Sequence, residues 1–147
     1  LSVSNNMSLA AYYSGKAISI SKTTAPHAVS YPFTSFFGIS HGHAVSLTLE
    51  KFLKFNYLNQ SNSTCNFDLK KRNRDIFKIL NVNNVFELES YLKNLKKIAQ
   101  LEQSFKKLKI NLNRDFSKIA SGVNLLRLKN NPVPLNKKDL QIILTEF

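Results

Sequence analysis

At 147 residues, with 43% hydrophobic side chains, the chain is long enough to bury a core of its own, roughly two thirds of the surface its unfolded form exposes. Four glycines and four prolines are too few for the turns that a sandwich or barrel needs about every 8–12 residues, and the single cysteine, Cys65, excludes an intrachain disulfide. The net charge of +12 invites a nucleic-acid partner, but its distribution argues against one.

In chain order the apolar pattern gives helix after helix. Met7, Leu9, Ala10, Ala11, Tyr13, Ala17, Ile18 and Ile20 predict an apolar, small-residue helix that contains Gly15 and is buried against a close neighbour. Thr24 is placed to cap a second helix, with Pro26 in its first turn, where an amide proton would be unpaired in any case. This helix carries His27, Val29 and Tyr31, and Pro32 is expected to disturb its continuation. Gly38 is a natural stop, Gly42 lies just beyond His41, and from about residue 42 a third helix presents Val45, Leu47, Leu49, Phe52, Leu53 and Phe55 through to Leu58.

Residues 59–66 are polar and turn-prone. The apolar faces on either side are too one-sided to be stable apart, so they read as a loop inside one domain spanning 1–147. Further helices are predicted at about 67–80, 84–98, 100–109, 113–121 and 136–146. Asn84 with Glu87, and Asn136 with Asp139, have capping-box spacing, and Val85, Leu88, Leu92, Leu95 and Ile98 share one helical face. The expected fold class is all-α and multihelical.

All nine carboxylates lie at or beyond Glu50, whereas residues 1–49 hold only Lys16 and Lys22 as charged groups. The densest basic run, Lys70-Lys71-Arg72-Asn73-Arg74-Asp75, and the pairs Lys96-Lys97, Lys106-Lys107 and Lys137-Lys138 fall on separate helices, as solvated faces do, and not on one stripe. The lone cysteine suits a reducing cytoplasm. No apolar run reaches the ~18 residues of a membrane span, and the start lacks the basic and apolar regions of a secretory signal, so a cytoplasmic protein is expected. A start without Met, directly before a helical pattern, predicts a piece of a larger protein.

All three histidines fall between residues 27 and 43, in a stretch free of acidic groups. Imidazole is the commonest neutral ligand for Zn²⁺ or Fe²⁺. A helix from 27 to 36 advances about 13 Å, and an extended return from 37 to 41 covers about the same, so the rings of His27 and His41 can meet. Spacing alone leaves the alternative open, a helix-start histidine and a loop histidine that share nothing, because this pair forms no standard motif. Cys65 has no neighbouring histidine to activate it, and Phe33, Phe36, Phe37, Phe52 and Phe55 read as core.

The segments Lys22-Thr-Thr-Ala-Pro-His-Ala-Val-Ser-Tyr31 and Phe36-Phe-Gly-Ile-Ser-His-Gly-His-Ala-Val45 resemble the metal-site signature of iron-containing alcohol dehydrogenases. In that family a helical His is followed 14 residues later by the His of a Pro-His-Gly or similar turn, the relation of His27 to His41-Gly42 here. Gly122-Val-Asn-Leu-Leu-Arg-Leu-Lys-Asn-Asn-Pro-Val133, followed by Leu135 and Asp139, is similar to the family's closing segment, and the wording around the histidines is nearest the branch that includes phosphonoacetaldehyde reductases.

The resemblance implies the helical C-terminal domain of an NAD(P)-linked enzyme acting on a small alcohol or aldehyde. Its nucleotide-binding half, with a Gly-rich phosphate loop, is absent from this sequence, as is the family's upstream Asp and His four residues apart. His27 and His41 would be two of four ligands to Fe²⁺ or Zn²⁺, with the metal stabilising charge on the substrate oxygen during hydride transfer. His43 is the candidate for a proton relay or for support of the ligands. Tyr31 stands where many members have another His and is the second proton-relay candidate, while Lys22 would attract an anionic substrate group such as a phosphonate. The chain alone is expected to be inactive, and a homodimer or larger oligomer is possible. Two other readings stand beside this one: a non-catalytic helical remnant kept for metal binding or dimer contacts, and a basic nucleic-acid-binding module.

Overall fold

In the computed structural model, which describes residues 2–146, the chain is helical, with no strand among those residues. The helices are α1 (Val3–Ser21), α2 (Ala25–Phe37), α3 (His41–Ser46), α4 (Leu49–Leu58), α5 (Leu69–Leu80), α6 (Val85–Ile98), α7 (Leu112–Ser121), α8 (Leu125–Leu128) and α9 (Lys137–Thr145). No helix among the described residues is long and apolar enough to cross a membrane.

The core is organised around α2. Its Ala25, Ala28, Val29 and Phe33 are completely buried and meet Ala44 of α3, Phe52 of α4, Ile119 of α7, Leu128 of α8 and Ile143 of α9. A smaller cluster of Phe77, Val85 and Leu88 joins α5 to α6. Small residues on one turn of α2 and large ones on the next let short helices approach closely, which places the histidine segment at the core's edge.

Pro32 does not interrupt α2, contrary to expectation. A proline leaves the carbonyl four residues earlier without a helical donor. Here that carbonyl, on Ala28, accepts from the Asn124 amide at 3.3 Å, so the turn between α7 and α8 fills the gap. Gly122 makes this approach possible, because a Cβ there would lie 2.9 Å from Cε2 of Phe36 and 3.0 Å from Cβ of Pro32. Gly122→Ala is therefore expected to cost about 1–3 kcal/mol through overpacking. Urea unfolding checks this, and an unchanged midpoint would show that the turn can move away from α2.

Other expectations are corrected. α1 forms, but none of its described residues is buried, and a Cβ on Gly15 would meet nothing within 4 Å. Apolar composition makes burial favourable without specifying a covering surface, and no described residue provides one. The third predicted helix is broken at Leu47 and Thr48 into α3 and α4, which lets both side chains enter the core at 2% and 0% exposure. Residues 101–104 are irregular and 105–109 form turns, with no helix between them. Oε1 of Glu102 accepts from the amides of Gln103 and Ser104, and Gln100 and Lys109 bracket the segment in left-handed conformations.

Asn84 caps α6, but Glu87 returns its carboxylate to the Asn83 amide and not to that of Asn84; the reciprocal box is complete at Asn136 and Asp139. Of the predicted α6 face, Val85 and Leu88 are buried, whereas Leu95 and Ile98 are exposed because no helix covers that end.

Candidate metal centre

The centre is built by the turn from α2 to α3. Thr24 occupies the N-cap of α2 without a side-chain capping bond, and Pro26 lies in the first turn, so His27 falls in that turn, half-buried beside the fully buried Ala25 and Ala28. At the other end Gly38 adopts the left-handed conformation (φ 68°), with its amide on the Thr34 carbonyl at 3.1 Å and that of Ile39 on the Phe33 carbonyl at 3.3 Å. Ile39 is buried, and the chain re-enters helix at His41.

This return brings the rings of His27 and His41 to 5.4 Å between centroids, at an interplanar angle of 61°. Two imidazoles bound to one tetrahedral ion at 2.0–2.1 Å per bond have ring centres roughly 5 Å apart, so the pair fits half of such a set. Among the described residues no cluster of three or more His, Cys, Asp and Glu side chains is arranged to hold an ion. The pair alone leaves coordination positions to be filled by other groups.

Ser30, fully buried one turn after His27, was not singled out by the sequence. Its hydroxyl donates to the His27 carbonyl at 2.8 Å and lies 3.4 Å from Nδ1 of His41. With its proton committed, Oγ can only accept from His41, which places the ring proton on Nδ1 and leaves Nε2 with a free lone pair. Burial pushes the His27 imidazole below the ordinary histidine value, and the neighbouring His41 ring and Arg127 guanidinium act in the same direction. The neutral, ligating form of His27 is thereby favoured.

Tyr31 lies one helical turn after His27, with its ring 6.1 Å from that of His41. His43 turns elsewhere: Nε2 donates to the Glu102 carbonyl at 2.7 Å, pinning α3 to the 101–109 segment. Lys22 caps α1 with a positive φ (60°) and lines a cleft of about 640 Å³ with Ile18, Thr23, Arg127, Lys129 and Asn130. Arg127 was the second residue missed. Its guanidinium lies over the Tyr31 ring at 5.5 Å and donates to Oγ1 of Thr23 at 2.7 Å. No local signal could have linked it to Tyr31, since the two are far apart in the chain.

Taken together, the fold defines a helical unit that presents paired imidazoles at the rim of its core, beside a basic cleft. The model of the Fe-containing alcohol dehydrogenase family, C-terminal, matches residues 1–147, and the chain belongs to this family. It is also similar to a phosphonoacetaldehyde reductase of Streptomyces viridochromogenes, at 46% identity over 48 residues. That match covers 33% of this chain and 12% of the relative. No solved structure matches.

Proposed function

We propose that this chain is the metal- and substrate-binding part of an NAD(P)-dependent oxidoreductase that interconverts a small alcohol and its aldehyde, with His27 and His41 as two ligands of an iron or zinc ion. The observation that carries the proposal is the 5.4 Å approach of the two rings. Family membership supports it, and the reductase named for the Streptomyces relative is an enzyme of the same reaction type.

When bound, the ion supplies Lewis acidity toward the substrate oxygen. The remaining work falls to this chain's own groups. Ser30 holds His41 in the tautomer that points Nε2 outward, and His43 fixes α3 through Glu102 so that His41 does not drift from His27. The Tyr31 phenol, on the same face of α2 as His27, is the group assigned to exchange a proton with the alcohol oxygen. Hydride transfer requires a nicotinamide held by residues outside this sequence.

Titration of the 147-residue chain with Co²⁺ tests the first step. One ion per chain is expected, with absorption bands characteristic of nitrogen ligation. A chain that binds no Co²⁺ at millimolar concentration would remove the basis for the proposal.

A further inference from the structure

The cleft beside the histidine pair is cationic for a reason visible in its construction. Its walls come from residues 18–23 and 126–130, and the sequence has no carboxylate in residues 1–49 or 116–138. Lys22, Arg127 and Lys129 consequently line one open space, and none of them forms an ion pair with a described residue. Like charges so placed repel one another, and an anion between them relieves that repulsion.

Arg127 is held for this role. Its Nη1 donates to Oγ1 of Thr23, a neutral partner that is itself buried, and Nδ2 of Asn130 donates to the Thr23 carbonyl at 3.2 Å. The Asn124 cap starts the short helix α8 that carries the arginine. A guanidinium has five N–H donors in a fixed fork, so anchoring one through Thr23 orients the others without consuming them. Lys22 and Lys129, which line the same cleft, add point charges. The Tyr31 ring neighbours both Arg127 and His41, 5.5 Å from the guanidinium and 6.1 Å from the imidazole.

We infer that this cleft is the subsite for a compact dianion, a phosphonate or phosphate group at the far end of a short aldehyde or alcohol substrate, with Arg127 as its principal anchor. The assignment rests on the oxidoreductase reading above. It moves the main burden of specificity from Lys22, which caps a wholly exposed helix, to Arg127, whose position is fixed by α8 and Thr23. A nicotinamide cofactor carries the same phosphate chemistry in its pyrophosphate. The adjacency to Tyr31 and His41 favours the group attached to the reacting substrate.

NMR titration of the metal-free 147-residue chain with methylphosphonate, at constant ionic strength, tests the inference. Saturable shifts are expected at the amides of Thr23, Arg127 and Asn130. Arg127→Gln should weaken binding about tenfold or more, Arg127→Lys should restore part of it, and the remote Lys107→Gln should leave it unchanged. If Arg127→Gln fails to fold, the double variant Lys22→Gln/Lys129→Gln, at two exposed positions, is expected to show the same order of loss. Equal affinity in these variants, shifts spread evenly over the lysines of α5, α6 and α9, or acetate binding as well as methylphosphonate would each overturn the inference. So would displacement of methylphosphonate by ADP at concentrations far below its own, which assigns the cations to a cofactor. Failure of the two readings is separable: Co²⁺ binding without methylphosphonate binding overturns this inference alone, whereas the reverse result overturns the metal reading and leaves an anion site standing.

Discussion

His27→Ala and His41→Ala are each expected to weaken Co²⁺ or Zn²⁺ binding by more than the roughly 10–100-fold that loss of an outer partner of a ligand causes, and the double variant to bind no worse than the weaker single one. The argument is geometric. Rings 5.4 Å apart can share an ion, and removal of either imidazole leaves a lone monodentate group with no described third ligand to compensate. Ser30→Ala should lower affinity by about tenfold, at the lower end of that range, because its contact with Nδ1 of His41 is long at 3.4 Å. Isothermal titration of the four variants decides the matter. Independent, additive losses at the two histidines would mean that each ring binds its own ion at the surface, and the shared site would be lost with it.

The histidine turn was legible because every determinant is local. Pro26 fixes the start of α2, Gly38 supplies the left-handed stop, and the spacing between them lets His41 return to His27. What failed to show in the sequence depends on partners distant along the chain. Pro32 reads as a helix breaker until the Asn124 amide is seen to satisfy Ala28, and the group that fixes the His43 ring, the Glu102 carbonyl, lies 59 residues further along the chain. Four-residue α8 is too short to display a period, so the arginine it carries was invisible as a neighbour of Tyr31. The helical pattern at 100–109 was overridden by a single carboxylate, since the Glu102 side chain offers two backbone amides an alternative to helical bonding. α1 illustrates the converse: its pattern was read correctly as helix, but pattern does not identify what covers an apolar face.

The second large effect is expected at Glu50, where replacement by Ala should destabilise the chain by about 3–5 kcal/mol. Glu50 and Lys96 are 5% and 7% exposed, and the ammonium donates to Oε1 of Glu50 and, at 3.1 Å, to the Ser46 carbonyl. The pair thus ties α6 to α4 and to the last residue of α3. Removing the carboxylate strands a buried cation that keeps only one carbonyl, and desolvation then outweighs the remaining hydrogen bond. The intact pair is not an optimum either, because Oε2 of Glu50 is buried without a partner. An unsatisfied acceptor of this kind costs about 1–3 kcal/mol. Hence the double variant Glu50→Leu/Lys96→Met, which replaces both charges by apolar groups of comparable size, should be within about 1 kcal/mol of the parent or more stable than it. Urea-unfolding midpoints of the parent, Glu50→Ala and the double variant test the pattern. A loss below about 1 kcal/mol in Glu50→Ala would mean that Lys96 swings out to water along its flexible stem, giving up its bond to the Ser46 carbonyl as well.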